Sequence, residues 1–275
     1  MGGKMRSAQL QPTQNQVPNR SRRTISVVIP AKNEARNIAW VLERIPSFVD
    51  EIIVVDGLST DGTLEVAKMV APDVVVVHEA RRGKGTALRA GFAAARGDYI
   101  VMLDADGSMD PGEISRMVDT LDEGYEFAKG SRFLPGGGTT DMTWIRRFGN
   151  ARLLDLANVL YGSDFSELCY GYCAFRRRAL YSLELDADGF EIETQIVTRA
   201  IRRGLRIAEV PSVESPRRFG ESNLHAFRDG LRVLRTMLRE RFGTSQPAAT
   251  LGRLQPVSVQ EHEASEDQTR SRVAL

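Results

Sequence analysis

The chain is poor in the residues that build covalent or metal-bound scaffolds. Cysteine occurs twice, as Cys169 and Cys173, and histidine three times, as His78, His225 and His262, among 275 residues. A disulfide framework and a structural zinc site both need more ligands than that. The two thiols are not spaced as a CxxC redox pair, so they are expected to be buried and free. No run approaches the roughly 18 to 20 apolar residues needed to cross a bilayer, and the N-terminus lacks the apolar region of a secretory signal. A reducing, cytoplasmic setting is therefore expected. A dominant charge is missing too: 37 Lys and Arg face 36 Asp and Glu, leaving a formal charge of +1. That excludes a uniformly basic nucleic-acid coat and an acidic solvating chain. Aromatics make up only 7%, and the basic residues have no interleaved aromatic platform for stacking bases, so no nucleic-acid partner is expected.

Hydrophobic residues make up 42% of the chain, enough for a sizeable core. Residues 1–24 are rich in Gln, Asn, Pro and Ser, with Lys4, Arg6, Arg20, Arg22 and Arg23 as their only charges. They read as a disordered basic tail, and residues 244–275 as a second disordered tail. The folded domain is expected over 25–243. Within it, ISVVI (25–29), EIIVVD (51–56), DVVVV (73–77) and DYIVMLD (98–104) alternate with helical stretches, an α/β signature. These runs are continuously apolar, as strands covered on both faces of a mostly parallel sheet must be. Ligands then belong at the strand C-terminal ends. Downstream come a Gly-rich loop (134–141), helices near 144–161 and 190–204, strands near 171–175 and 206–211, and a final helix from about 224 to 242. In that last helix Leu224, Phe227, Leu231, Leu234 and Leu238 form one stripe, and Arg228, Arg232, Arg235 and Arg239 another.

Chemistry concentrates where the strands end. LDADG (103–107) carries Asp104 and Asp106 out of an apolar strand. If the extended form persists, alternation turns both carboxylates the same way, suiting a shared hard divalent cation; the same residues also suit a solvated turn. Asp56 ends another strand, where it could accept hydrogen bonds from a base or ribose, and Asp61 suits a helix N-cap. RRGKGTALRAGF (81–92) joins a Gly-flanked Lys84 to a helix N-terminus, a combination that suits a diphosphate. Neither a P-loop nor a GxGxxG fingerprint is present, which disfavours an ATPase or a nicotinamide dehydrogenase.

The ordered segments SVVIPAKNEARNI, EIIVVDGLSTDGT, RRGKGTALRAGFAAARGDYIVMLDADGSMDPGEI and FAKGSRF, followed by GFEIETQIVTRAIRRGLRIAEVP and RRFGESNL, resemble family 2 glycosyltransferases of the GT-A fold. Within them the likeness is to the polyprenyl-phosphate or dolichol-phosphate mannosyl- and glucosyltransferase group, and it spans about residues 25–240. The resemblance implies a nucleotide-sugar donor, a UDP- or GDP-sugar, and Mg²⁺ or Mn²⁺ on Asp104 and Asp106, with Ala105 between them in the same donor-binding segment. It implies Pro30, Ala31 and Glu34 at the nucleoside, Asp56 at the base or ribose, and Lys84 at the diphosphate. Arg132 and Arg146, with Arg147 beside the latter, are similar to arginines that hold an acceptor phosphate. Arg217, Ser222 and Asn223 match a loop that closes over the donor phosphates. Ser108 stands where a Gln is often found, and Asn223 where a Lys is common.

The implied reaction is a single inverting displacement at the anomeric carbon. A phosphate acceptor needs no strong base, whereas a hydroxyl acceptor would need one, for which Glu191 and Glu193 are the candidates. A non-catalytic nucleotide-sugar-binding module stays open beside these two readings. A nucleotidyltransferase is disfavoured, because PAKNEARN is not a Gly- and Arg-rich loop. Residues 199–243 hold 11 Arg against 5 Asp and Glu, so the last helix could meet an anionic membrane peripherally, on the inner face of the cell membrane, or carry a solvated Arg face. Trp40 and Trp144 are expected in the core, and His78 is given no role.

Overall fold

The structure, a computed structural model, describes residues 23–140, 142–220 and 226–243. The expected tails, apart from Arg23 and Thr24, lie outside the described residues, as do Ser222 and Asn223. The strands are β1 (Ile25–Ala31), β2 (Glu51–Asp56), β3 (Val75–His78), β4 (Tyr99–Met102), β5 (Phe127–Ser131), β6 (Gly138–Thr139), β7 (Cys173–Arg176), β8 (Ile207–Pro211) and β9 (Val213–Glu214). The helices are α1 (Ala35–Leu42), α2 (Thr63–Val70), α3 (Lys84–Ala94), α4 (Ile114–Asp122), α5 (Trp144–Tyr161), α6 (Arg177–Ser182), α7 (Ile192–Arg202) and α8 (Ala226–Phe242).

Seven strands form one sheet in the order β3-β2-β1-β4-β7-β5-β8, and β6 pairs with β9 in a small second sheet. Within the large sheet every pairing is parallel except those of β7, which runs antiparallel between β4 and β5. The continuous apolar runs are explained by this layering. Val28, Ile53, Val55, Ile100 and Met102 pack toward α3, α5, α6, α7 and α8. Their neighbours Val27, Ile29, Val54, Tyr99 and Val101 pack toward α1, α2 and α4. Strand alternation thus feeds two cores, one on each face, and the central strands β1 and β4 have no solvent face to fill with polar residues.

Three sequence expectations are corrected. Trp144 is 78% exposed, because it opens α5 directly after Thr143, whose hydroxyl caps the helix by accepting the Arg146 amide. Trp40, by contrast, packs against the core on the α1 side. Asp61 is not the N-cap of α2, a place taken by Gly62. Its carboxylate instead accepts from Thr63, 3.1 Å from the amide and 2.5 Å from the hydroxyl, and from the Ala35 amide at 3.0 Å, tying α1 to α2. On α8 the buried face runs through Asp229, Val233, Thr236, Met237 and Glu240, while Leu231 and Leu238 are 47% and 40% exposed. The face is rotated because Glu240 is drawn inward by Arg199 and Gln195 of α7. Leu224 and the Phe227 side chain lie outside the described residues.

Candidate active site

The C-terminal ends of β1, β2 and β3 set Ala31, Asp56 and His78 side by side across the sheet. Pro30 lies next to Ala31 and pairs with Val55. Asp56 is buried, its carboxylate accepting the Ser59 amide at 3.1 Å, and His78 Nδ1 stands 3.6 Å from it. The two loops that follow β1 and β2 are laced together. Asn33 donates its amide to Ser59 Oγ and accepts the Thr60 amide, both at 2.9 Å, and the Glu34 amide donates to Thr63 Oγ1 at 2.9 Å. These bonds hold the two loops together as one shelf at the rim of the sheet.

Beside it, β4 stops at Met102, so the extended form does not carry through LDADG as expected. The chain turns instead: Gly107 has φ +74°, and Asp106 Oδ1 accepts the Ser108 amide at 3.0 Å. Ala105 is buried in the core beneath, between the two carboxylates. Each carboxylate is met by a different cation. Lys84 Nζ lies 2.8 Å from Asp104 and 2.8 Å from Glu193 Oε1. The Arg217 guanidinium bonds Glu34 and reaches Asp106 at 3.4 Å. Burial pushes the Asp104 carboxyl up to about 6, against the pull of Lys84 and with the negative charges of Asp106 and Glu193 adding to the rise. Glu34 is also raised, chiefly by burial, while Asn37 and Arg217 oppose the shift. For Lys84 the two carboxylates outweigh the burial penalty and raise its pKa further.

Close approach of segments from far along the chain builds this cluster. Gly83 and Gly85 flank Lys84 where the backbone at Ala187–Asp188 crosses. A Cβ at Gly83 would stand 2.0 Å from the Asp188 carbonyl oxygen, and one at Gly85 2.2 Å from that of Ala187. Gly171 faces the cluster itself: a Cβ there would come within 2.7 Å of Lys84 Nζ and 3.1 Å of Glu193 Oε1. Sequence reasoning missed Gly171. Its signal was a lone glycine inside an apolar run, ELCYGYCAF, which marks close approach of other groups.

The candidate bases separate. Glu193 is engaged by Lys84, whereas Glu191 accepts the Gly189 amide at 3.1 Å on one oxygen and leaves its buried Oε2 with no protein partner. Arg132 is also placed differently from the expectation of a phosphate-holding arginine. It directly follows β5, is 7% exposed, and binds Glu167 through two bonds of 2.8 and 3.0 Å, Glu214 at 2.9 Å and the Cys169 carbonyl at 3.1 Å. Four of its five N–H donors are thus committed within the protein. Glu214 also accepts from Thr139 at 2.6 Å, which fastens the Gly-rich loop to the same knot. Glu167 and Glu214 were not singled out from sequence; an acid within a buried apolar run signals a paired charge. Arg146 is half-buried on the first turn of α5, and the Arg147 and Arg132 guanidinia lie 5.6 and 5.8 Å from the same Phe133 ring.

The donor set fits a hard divalent cation. Asp104 and Asp106 offer carboxylate oxygens on one turn, and at Asp104 burial and nearby like charges disfavour the bare anion. Among the described residues no group of three or more His, Cys, Asp or Glu could hold an ion alone. Magnesium-type sites need no such cage, since one or two carboxylates are completed by phosphate oxygens and water. The cysteines are free, and burial pushes both thiols up to about 12.

Residues 26–183 match the family described as Glycosyl transferase family 2. Over 213 residues the chain is 36% identical to glycosyltransferase AglJ of Haloferax volcanii, covering 75% of this chain and 68% of that one. Over 211 residues it is 35% identical to the polyprenol monophosphomannose synthase of Mycolicibacterium smegmatis, covering 72% and 80%. Among solved structures, glucosyl-3-phosphoglycerate synthase from Mycobacterium tuberculosis in complex with Mn²⁺, UDP and glucosyl-3-phosphoglycerate is similar at TM-score 0.63 and 28% identity, with 80% of each chain covered.

Proposed function

Because this chain belongs to glycosyltransferase family 2 and has its GT-A fold, we propose that it moves a sugar from a nucleotide diphosphate to a polyprenyl phosphate, with inversion at the anomeric carbon. The observation that carries the donor half is the rim at which Lys84, Arg217, Asp104 and Asp106 converge on one turn. The shelf of Pro30, Ala31, Glu34 and Asp56 takes the nucleoside. Lys84, at the N-terminus of α3, and Arg217 take the diphosphate, adding charge-assisted hydrogen bonds and a helix dipole where negative charge grows on the leaving group. Asp104 and Asp106 would hold Mg²⁺ or Mn²⁺, which supplies Lewis-acid stabilisation of the diphosphate when bound.

The acceptor half is supported by the relative named for polyprenol monophosphomannose synthesis. A phosphate monoester is anionic at neutral pH, so orientation matters more than base strength. Arg146 and Arg147 would orient it, with Arg132 holding the Gly-rich loop from below. No helix among the described residues is long and apolar enough to cross a membrane. Peripheral contact with an anionic bilayer is supported by the outer face of α8, where exposed Leu231, Leu238 and Phe242 mix with exposed Arg228, Arg232, Arg235 and Arg239. Apolar contact and charge then act together. The expected site is the inner face of the cell membrane.

A hydroxyl acceptor is the second reading, favoured by the structural neighbour in complex with glucosyl-3-phosphoglycerate. Glu191, with its unpartnered oxygen, would then be the base. A panel of UDP- and GDP-sugars with Mg²⁺, Mn²⁺ or EDTA, polyprenyl phosphate and 3-phosphoglycerate separates these readings. Metal-dependent, organic-extractable glycosyl phospholipid is the expected product. A water-soluble glycoside instead moves the acceptor to the hydroxyl class, and binding without turnover leaves a binding module.

A further inference from the structure

The cations at the rim lie on the groups that would receive a metal. Lys84 Nζ is shared by Asp104 and Glu193, and the Arg217 guanidinium by Asp106 and Glu34. Each cation therefore bridges one carboxylate of the LDADG turn and one carboxylate from elsewhere on the rim. All six side chains are restricted, at 9 to 27% exposure, so water does not screen them as it screens surface pairs.

The segment bearing Arg217 is docked on the same turn. The Ser215 amide donates to the Ser108 carbonyl at 2.8 Å and the Arg218 amide to the Asp106 carbonyl at 3.3 Å. Arg218 lies over Trp40 at 4.8 Å, and Arg36 over Phe219 at 4.1 Å. The strap also holds Arg217 Nε, which donates to the Phe219 carbonyl at 2.9 Å, and leaves the two terminal nitrogens on carboxylates, Nη2 on Glu34 and Nη1 on Asp106.

We infer that Lys84 and Arg217 are resident counter-ions that couple metal and nucleotide binding by exchange. The inference rests on the donor-site reading above. Asp104 and Asp106 cannot serve a dication at full strength while they hold these cations, since Lys84 and Arg217 would then repel it at contact distance. Nor can Lys84 and Arg217 turn to a diphosphate without leaving four carboxylates, Glu34, Asp104, Asp106 and Glu193, short of positive charge. When both ligands arrive, the diphosphate accepts from Lys84 and Arg217, and Asp104 and Asp106 are released to the metal. Each ligand thus removes the obstacle to the other, and linkage makes the effect reciprocal.

Binding of Mn²⁺ alone, followed by electron paramagnetic resonance with and without UDP or GDP, tests this without turnover. The wild-type chain is expected to bind Mn²⁺ weakly and to tighten about tenfold or more with nucleotide, within the usual range of such couplings. Lys84→Met should bind Mn²⁺ more tightly than wild type without nucleotide, and nucleotide should tighten it by a smaller factor than in wild type. Arg217→Met, on the outer strap, should move both values the same way. Lys84→Arg should restore the coupling, and Lys32→Gln, which removes a nearby charge of the same sign, should leave it intact. Tightening by nucleotide that is as large in Lys84→Met and Arg217→Met as in wild type overturns the exchange and leaves the donor site standing. Mn²⁺ affinity in wild type that neither nucleotide changes overturns both.

Discussion

Two of the buried ion clusters among the described residues are built for opposite ends. Around Arg132 the guanidinium is held by both oxygens of Glu167, by Glu214 and by a backbone carbonyl, and Glu167 accepts Asn150 as well. Around Lys84 and Arg217 the two carboxylates of the LDADG turn are partly exposed, at 27% and 20%, and each cation is divided between one of them and a more buried glutamate. A charge with four of its five N–H donors filled at 2.8 to 3.1 Å has little to gain from a ligand. A charge shared between acceptors at an open rim can exchange one for another at little cost. The contrast separates a fastener from a binding site, although both sets of residues are Arg, Lys, Asp and Glu.

Stability measurements should sharpen that contrast most. Glu167→Ala strands a buried guanidinium, and loss of one partner from such a pair costs about 3–5 kcal/mol. Chemical denaturation should show a destabilisation of that order, and a change within error would mean that the knot does not hold the Gly-rich loop. At the rim the effect should appear in rate. Asp104→Ala or Asp106→Ala is expected to lower metal-dependent transfer by about 10²–10³-fold or more, with the unfolding midpoint nearly unchanged. Full activity in either variant would remove the metal assignment.

Gly171→Ala probes the packing between the two clusters. Its methyl would meet Lys84 Nζ at 2.7 Å, so the ammonium at the end of that flexible side chain must shift, and a fall in nucleotide affinity is expected with little change in stability. Unchanged affinity would show that the ammonium has room to move. On the outer face, Leu231→Ser with Leu238→Ser should lower sedimentation with anionic liposomes severalfold, and salt should lower it in the parent chain. Insensitivity to both would return α8 to a solvated role. The smallest effect is expected at the thiols: pKa values near 12 leave about one thiolate in ten thousand at pH 8. Alkylation should then be negligible until the chain unfolds, and fast labelling of native protein would contradict the burial of Cys173.

What could be read in advance was whatever is local. The runs at 25–29, 51–56, 73–77 and 98–104 became β1 to β4 within a few residues, since a strand buried on both faces must be apolar throughout. Asp56, Lys84, Asp104 and Asp106 stood at strand or helix ends, and the topology of a parallel sheet brings such ends to one rim. What could not be read was pairing across distance. Nothing in CAFR says that it inserts antiparallel between β4 and β5, nor that Glu193 reaches back 109 positions to Lys84. The leucine stripe of α8 was visible, and Leu234 does pack against the core, but the outward placement of Leu231 and Leu238 goes with Glu240 finding Arg199.

The sequence by itself determined the α/β class, the strand positions and the residue types that gather at the rim, because periodicity and strand-end chemistry are properties of short segments. Only the tertiary structure decided which charges are shared and which are saturated: that Arg132 is locked by Glu167 and Glu214, that Trp144 faces outward, and that Lys84 and Arg217 each straddle two carboxylates. The physical reason is that an ionic group's role depends on how many partners surround it and how much water remains, and both are set by segments far away in the chain.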